Sequence, residues 1–274
     1  MDEHLSGRLR LPQQNYPAEA FFDSLAADYD RRYALSVVGR LQRGQVWQHV
    51  SGLFARGGSL VEFGCGTGID AEYLAGGGLW VLATDPSNSM LALTAQRCAG
   101  LPQVRTCQLF AERVGELEEH FDGAFSNFAA LNCVDDLAAF AAHLASKLPP
   151  GAPVAFCLFG RLCLWEMAAY AVCGRWAQAF RRLRPGLVAA SIGDGQSISV
   201  RYHSARQVRQ AFAPWFHLEG QRAIGLFVPP TYFDKWVRSL PGLLGVLDRL
   251  DRTIGHLWPF AFLGDHILYV LQRR

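Results

Sequence analysis

Apolar positions change their period twice along this chain. From 18 to 54, AEAFFDSLAADYDRRYALSVVGRLQRGQVWQHVSGLF places apolar residues three and four apart. That is the stripe of an amphipathic helix, and it predicts one or two helices closed by ARGG at 55–58. Residues 1–18 show no periodicity and predict a loose arm. From Ser59 onward the pattern alternates between strand and helix. The strands are SLVEFGC, LWVLATD, VRTCQLF, FDGAFSN and APVAFCLF, and the helices between them are GIDAEYLAG, SNSMLALTAQRCAG and VDDLAAFAAHLASKL. Strands joined by helices of this length need right-handed crossovers, which predicts an α/β fold with a doubly wound, mostly parallel sheet.

Beyond Gly160 the pattern changes again. Leu162–Leu183 predicts one helix, RPGLVAASIGDGQ a loop, SISVRYH a strand, SARQVRQAFAPW a helix and FHLEGQRAIGLFV a strand. An aromatic segment and a last strand, HILYVLQR, complete the chain. The resulting division is an arm and lid helices at 1–54, a core at 55–160, a helical insertion at 161–196, the end of the core at 197–228, an aromatic insertion at 229–264 and a last strand at 265–274.

Composition narrows the partners. Of 274 residues, 50% are hydrophobic and 18% charged, with a formal net charge of +2, so neither disorder nor a surface built against a phosphate backbone is expected. The seven cysteines form neither a CxxC pair nor a Cys/His cluster, which predicts core thiols in a reducing, cytoplasmic setting without structural metal. MDEHLSGRLR is not laid out as a signal peptide, and no apolar run reaches the roughly 18 residues of a membrane span.

The chemistry starts at LVEFGCGTGID, where Gly64, Gly66 and Gly68 follow a strand at alternate positions. Glycines between a strand's carboxyl end and a helix let a ligand approach the main chain. A dinucleotide turn is spaced GxGxxG and holds a pyrophosphate, which Glu62, two residues ahead of the turn, would repel. A cationic ligand would be balanced by the same carboxylate.

VEFGCGTG resembles motif I of the class I S-adenosylmethionine-dependent methyltransferases, and the resemblance runs from about Phe21 to Val270. It implies a seven-stranded Rossmann-like sheet, S-adenosylmethionine as cofactor and S-adenosylhomocysteine as product. Cys65 lies within the implied cofactor turn. Asp85, ahead of Pro86, matches the family acid on the ribose hydroxyls, and Met90 falls where a side chain packs on adenine. FDGAFSNFAALNCVDDL matches motif IV, whose Asn127 and Phe128 face the reacting methyl. FDSLAADYDRRY resembles the lid helix, with Tyr29 reaching the methionine carboxylate and Tyr33 toward the acceptor. A common DAE reads Phe110-Ala111-Glu112 here, so Glu112 or the backbone at Ala111 would contact the adenine amine.

The acceptor is less legible. SNFAAL stands where methylators of base amines carry a (D/N)PP(Y/F) tetrad, and VPPTYF at 228–233 follows a much later strand, so nucleic acid is not an expected partner. Trp165, Tyr170, Tyr232 and Trp236 belong to an aromatic load in the insertions that suits a cover over a small or medium lipophilic metabolite; the insertions' own core or a homodimer contact accounts for the rings equally. FSNFAALNCV, GRLCLWE and GDHILY resemble bacterial small-molecule methyltransferases associated with secondary metabolism, which leaves O-, N- and C-methylation open. A non-catalytic S-adenosylmethionine-binding regulatory or assembly subunit is the alternative. A diphosphate-bearing acceptor held by Mg²⁺ is a weaker one, since no carboxylate cluster beyond the cofactor acids suggests a metal.

Glu166 falls on the stripe Leu162, Glu166, Tyr170, Cys173, Trp176, as a proton acceptor or as a buried ion pair with Arg161 or Arg201. Tyr202 and His203 stand in reserve for that role, with His203 and His266 otherwise read as hydrogen-bonded buried histidines. RRLR at 181–184 reads as a solvated helix end, or as a site for an anionic group on the substrate.

Overall fold

Alternate residues of every central strand enter opposite layers in the computed structural model, which describes residues 9–10, 17–191, 197–237 and 239–274. The predicted arm falls mostly on residues 1–8 and 11–16, outside the described residues. A two-residue strand β1 (Leu9–Arg10) precedes helix α1 (Pro17–Tyr29), a π-helical turn (Asp30–Ala34) and α2 (Val37–Val50). Then come β2 (Ser59–Phe63), α3 (Ile69–Gly76), β3 (Trp80–Asp85), α4 (Asn88–Arg97), β4 (Val104–Gln108), β5 (Gly123–Ser126), α5 (Leu137–Ala145) and β6 (Pro153–Phe159). The later half holds α6 (Leu164–Val172), α7 (Trp176–Ala179), β7 (Leu187–Ser191), β8 (Ser197–Arg201), α8 (Ala205–Phe212) and β9 (Phe216–Ile224). Last come α9 (Asp234–Val237), α10 (Pro241–Ile254) and β10 (His266–Arg273).

Seven strands in the order β4-β3-β2-β5-β6-β10-β9 make the sheet, and β1 extends its β4 edge. β10 runs antiparallel to both neighbours, whereas the pairs from β4 to β6 are parallel. This is the doubly wound, mostly parallel α/β sheet that the alternation predicts. Val61 and Phe63 pack in the layer with α5 and α8, while Leu60 packs with α2, α3 and α4. Phe63, Phe125 and Phe156 are fully buried, each side chain contributing about 2 to 3 kcal/mol by leaving water. Because side chains alternate, Glu62 shares the α2–α3 layer with Leu60, and Asp85 shares it with Val81 and Ala83. Both acids therefore reach the carboxyl edge of the sheet on one side, where β2 lies between β3 and β5 and the crossovers reverse direction.

Two predicted elements differ. Leu162–Leu183 is not one helix: α6 ends at Val172, Gly174 turns the chain with φ +70°, and α7 restarts at Trp176. The described part of the predicted loop, 184–191, contains β7, which pairs antiparallel with β8 apart from the main sheet. Its inward residues Val188 and Ala190 join Ile198, Val200 and Tyr202 in a small core against Phe21, Phe22 and Phe159. Small alanines and a flanking glycine hide that alternation in the sequence. Residues 192–196 of the same loop lie outside the described residues.

One carboxylate of α10 ties that helix to the segment after β9 and to α2. Asp251 is buried and accepts from the backbone N–H groups of Phe227 (2.6 Å) and Val228 (3.2 Å) and from Gln45 Nε2 on α2 (3.0 Å). Asp251→Ala leaves these donors unsatisfied. It is expected to lower unfolding stability by about 2 to 4 kcal/mol, measured by urea denaturation, and to expose 225–229 in hydrogen exchange.

Candidate active site

The chain turns sharply after β2 because the main chain has no room for side chains there. A Cβ on Gly64 (φ +66°) would stand 2.2 Å from the Ala130 Cβ. At Gly66 (φ +54°) the reason differs: the nearest atom to an added Cβ is Tyr29 Cε1, 4.0 Å away. This glycine opens a space between the turn and the end of α1. Across β5, Phe128 (φ 47°) and Ala129 (φ 70°) adopt the left-handed region without being glycines, a strain characteristic of sites where a side chain must be aimed.

Polar groups crowd this space. Asp85 is buried, its Oδ2 accepting from Gly66 N (3.0 Å) and its Oδ1 from Ser87 N (2.9 Å), and burial pushes its carboxyl up to about 6. Burial, then the neighbouring Asp70 charge, raises Glu62 well above the carboxylate range against the pull of Arg43. Its Oε2 has no hydrogen-bond partner among the described residues. Asp70 accepts from Trp47 Nε1 (2.6 Å), from Asn127 Nδ2 (3.2 Å) and from the Arg43 guanidinium, which lies 4.7 Å over the Phe128 ring. Tyr29 is close to this cluster, and burial lifts its phenol to about 12.

Of the predicted cofactor residues, Glu62, Gly64, Cys65, Gly66, Gly68, Asp85, Asn127 and Phe128 converge here, with Tyr29 above them from the lid helix. Met90 is buried in the first turn of α4, where its backbone N–H donates to Ser87 Oγ. Ala111 and Glu112 open a 3-10 turn after β4, and burial raises the Glu112 carboxyl.

Arg43, Asp70 and Asp23 escape the sequence reading. Asp23 accepts from Ser87 Oγ (2.5 Å) and Ser89 N (3.0 Å). Burial opposes its ionisation, but these donors hold its carboxyl below its usual range. The available signal was Gln42, Arg43 and Gln45, polar residues on the buried face of α2.

Motif and geometry agree with the comparisons. Residues 60–151 match the family described as "Methyltransferase domain". Over those residues the chain is similar to a methyltransferase domain, and its sheet has the fold of S-adenosylmethionine-dependent methyltransferases. A demethylmenaquinone methyltransferase from Clavibacter sepedonicus is 28% identical over 152 residues, 56% of this chain and 62% of that protein. Among solved structures, a protein from Listeria monocytogenes described as an S-adenosylmethionine-dependent methyltransferase superposes with a TM-score of 0.61 at 14% identity, covering 86% of this chain and 99% of that one. DhpI in complex with SAH superposes with a TM-score of 0.56 at 16% identity, covering 93% and 94%. The two superpositions speak for the fold, and the methyltransferase domain is its central part, ahead of both insertions.

Outside that domain the predicted catalytic group needs correction. Glu166 is buried, but its partners are Arg181 and Arg182, not Arg161 or Arg201. Arg182 Nη2 lies 2.6 Å from Glu166 Oε2 and 2.8 Å from Asp265 Oδ1, and Arg182 Nη1 donates to the Gly160 and Asp265 carbonyls. Burial opposes ionisation of Glu166, yet the two arginines outweigh it and hold the carboxyl below its ordinary range. A carboxylate so held is a poor proton acceptor, so Glu166 is withdrawn as the base. RRLR is only in part a solvated helix end: Arg182 is buried in this network and Arg181 donates to Glu166, while Arg184 is exposed.

Tyr202 is buried beside Arg182 and Phe159, and His266 stacks on Phe159 (4.8 Å) and meets the Phe128 edge (5.2 Å). An aromatic row thus runs from the glycine turn to the β7–β8 hairpin. The expected hydrogen bonds of the two histidines are incomplete: His203 Nε2 is buried without a hydrogen-bond partner among the described residues, and His266 Nδ1 has Asp265 Oδ2 3.4 Å away as an ion-pair contact rather than a hydrogen bond. Burial, with Arg201 and Arg161 nearby, lowers the His203 pKa.

The predicted acceptor residues do not form one wall. Tyr29 and Tyr33 rings lie 5.2 Å apart over the site. The Trp165 indole donates to the Phe227 carbonyl (2.7 Å), Tyr170 lies under Arg175, Tyr232 donates to Glu166 (3.3 Å), and Trp236 faces solvent.

Glu166→Gln is expected to cost roughly 3 kcal/mol of stability, the scale for breaking a buried pair, read as a lower melting temperature with cofactor affinity unchanged. Wild-type melting together with a hundredfold loss of turnover would restore Glu166 as a catalytic group.

Proposed function

We propose that this protein transfers the methyl group of S-adenosylmethionine to a small or medium, lipophilic metabolite by direct in-line displacement. The observation that carries the reading is the acid-lined space over Gly66. The unpartnered Glu62 Oε2 suits an ammonium, the buried Asp85 suits two ribose hydroxyls, and a Cβ added at Gly66 would have Tyr29 Cε1, 4.0 Å away, as its nearest neighbour. Arg43, whose Nε also lacks a partner among the described residues, would hold the methionine carboxylate with Tyr29. Met90, Pro86 and the turn at Ala111–Glu112 would border the adenine. Cys65 and Gly68 would shape the turn.

When bound, S-adenosylmethionine supplies an electrophilic methyl on a sulfonium. The chain's part is to align the acceptor atom, exclude water and take up a proton where the acceptor releases one. Asn127 and Phe128 would aim at the transferred methyl, their orientation maintained by the left-handed backbone at Phe128 and the hydrogen bond to Asp70. His203, whose lowered pKa keeps the ring neutral, would be the proton acceptor, and Tyr202 would orient the acceptor. A lipophilic acceptor suits the aromatic row of Phe128, His266, Phe159 and Tyr202. The demethylmenaquinone methyltransferase relative, whose named acceptor is a quinone, supports the same class.

Release of S-adenosylhomocysteine on incubation with S-adenosylmethionine and a panel of lipophilic phenols, quinols and amines is the decisive assay. Tight cofactor binding with no release against any acceptor would favour a regulatory or assembly subunit. Asp85→Ala should weaken cofactor binding by about 1.5 to 3 kcal/mol in calorimetry, and unchanged affinity in the folded variant would overturn the site. The ribose hydroxyls donate best to an ionised carboxylate. With Asp85 at about 6, affinity should be full above that pH and decline as pH falls through it, by up to roughly tenfold per unit.

A further inference from the structure

Among the described residues, all the large apolar side chains that stand exposed, except Leu35, Trp80 and Trp215, belong to the two insertions. α10 shows why. Leu244, Leu247 and Asp251 turn inward to Val38, Val228 and the sheet, which leaves a second apolar stripe, Leu243, Val246 and Leu250, facing out. Trp236 and Trp258, which precede and follow α10 in the chain, are 69% and 83% exposed.

The charges on this surface have one sign. From 235 to 259 the exposed charged residues among those described are Lys235 and Arg249. The two acids are withdrawn, Asp248 into a pair with Arg252 (2.7 Å) and Asp251 under the helix. The first insertion repeats the pattern: no acid occurs from Met167 to Ser191, and the exposed Val172, Trp176 and Leu187 accompany exposed Arg175 and Arg184. The insertions meet where the Trp165 and Phe233 rings approach to 5.9 Å.

An outward apolar stripe with exposed tryptophans before and after it in the chain and unopposed cations matches a helix lying in a bilayer interface. We propose that the insertions dock this protein on an anionic lipid surface, with Leu243, Val246 and Leu250 among the acyl chains, Trp236 and Trp258 at headgroup level, and Lys235 and Arg249 on the phosphates. Charge complementarity selects this occupant over a second copy of the chain, because in a two-fold pair the same patch meets itself and its cations would face cations. No helix among the described residues is long and apolar enough to cross the membrane, so the attachment is peripheral. The inference stands on the surface and does not require methyl transfer.

Co-sedimentation of the full chain, without cofactor or acceptor, with vesicles of phosphatidylglycerol and phosphatidylcholine tests it. Binding should exceed that to phosphatidylcholine alone and weaken with added salt. Leu243→Glu/Val246→Glu should reduce the partition at least roughly tenfold, with cooperative melting checked on the same sample. If that variant fails to fold, Lys235→Glu/Arg249→Glu decides, by losing the preference for anionic vesicles. Absence of sedimentation with anionic vesicles would overturn the proposal. So would a dimer in sedimentation velocity that Leu243→Glu/Val246→Glu converts to monomer, which assigns the face to a second copy.

Discussion

Three carboxylates, Glu62, Asp70 and Asp85, end near one another on one side of the sheet, with the Arg43 guanidinium among them. In a low-dielectric interior this arrangement is short of positive charge: burial raises the carboxyls of Glu62 and Asp85, with the Asp70 charge adding to the first and Asp23 to the second. Most of the surrounding architecture serves to hold these groups despite their repulsion. α2 brings Arg43 in, Trp47 and Asn127 share the load on Asp70, and the Gly66 and Ser87 amides stabilise Asp85. A ligand carrying a sulfonium and an ammonium would relieve the imbalance, which is the electrostatic sense of the proposed cofactor.

Helix α1 is bound to the same groups. Asp23 on α1 reaches the Ser87 hydroxyl and the Ser89 amide at the start of α4, two residues past Asp85. Tyr29 closes over Gly66, and the turn after it carries Asp30 to Arg97 and Thr67. Helix α1 is therefore tied to the end of the strand that carries Asp85.

A second buried network organises the cover. Arg182 joins Glu166 of α6 to Asp265 and to the Gly160 carbonyl, so one guanidinium ties the helical insertion to the ends of β6 and β10. Asp251 does the same for α10 through the amides of Phe227 and Val228. With these polar groups committed inward, the segments 161–191 and 229–264 leave leucine, valine and tryptophan outside among the described residues.

Much of the core was legible because its physics is local. Strand-length segments alternating with helical ones mark β2 to β6, and the glycines at 64, 66 and 68 answer to backbone geometry that few other residues tolerate. Glu62 and Asp85 follow from the same reasoning, since strand parity puts both at one edge. What the sequence could not disclose depends on contacts between distant segments. The partners of Glu166 sit 15 and 16 residues away, across a break at Gly174 that helical periodicity does not show. Arg43 is one polar residue in a helix until α2 folds against α3, 27 residues on, and makes it the counter-charge of Asp70. Whether Leu243 or Leu244 faces the core is decided only by where Asp251 anchors α10, because an apolar run fixes a helix but not which of its two apolar faces the tertiary structure will cover.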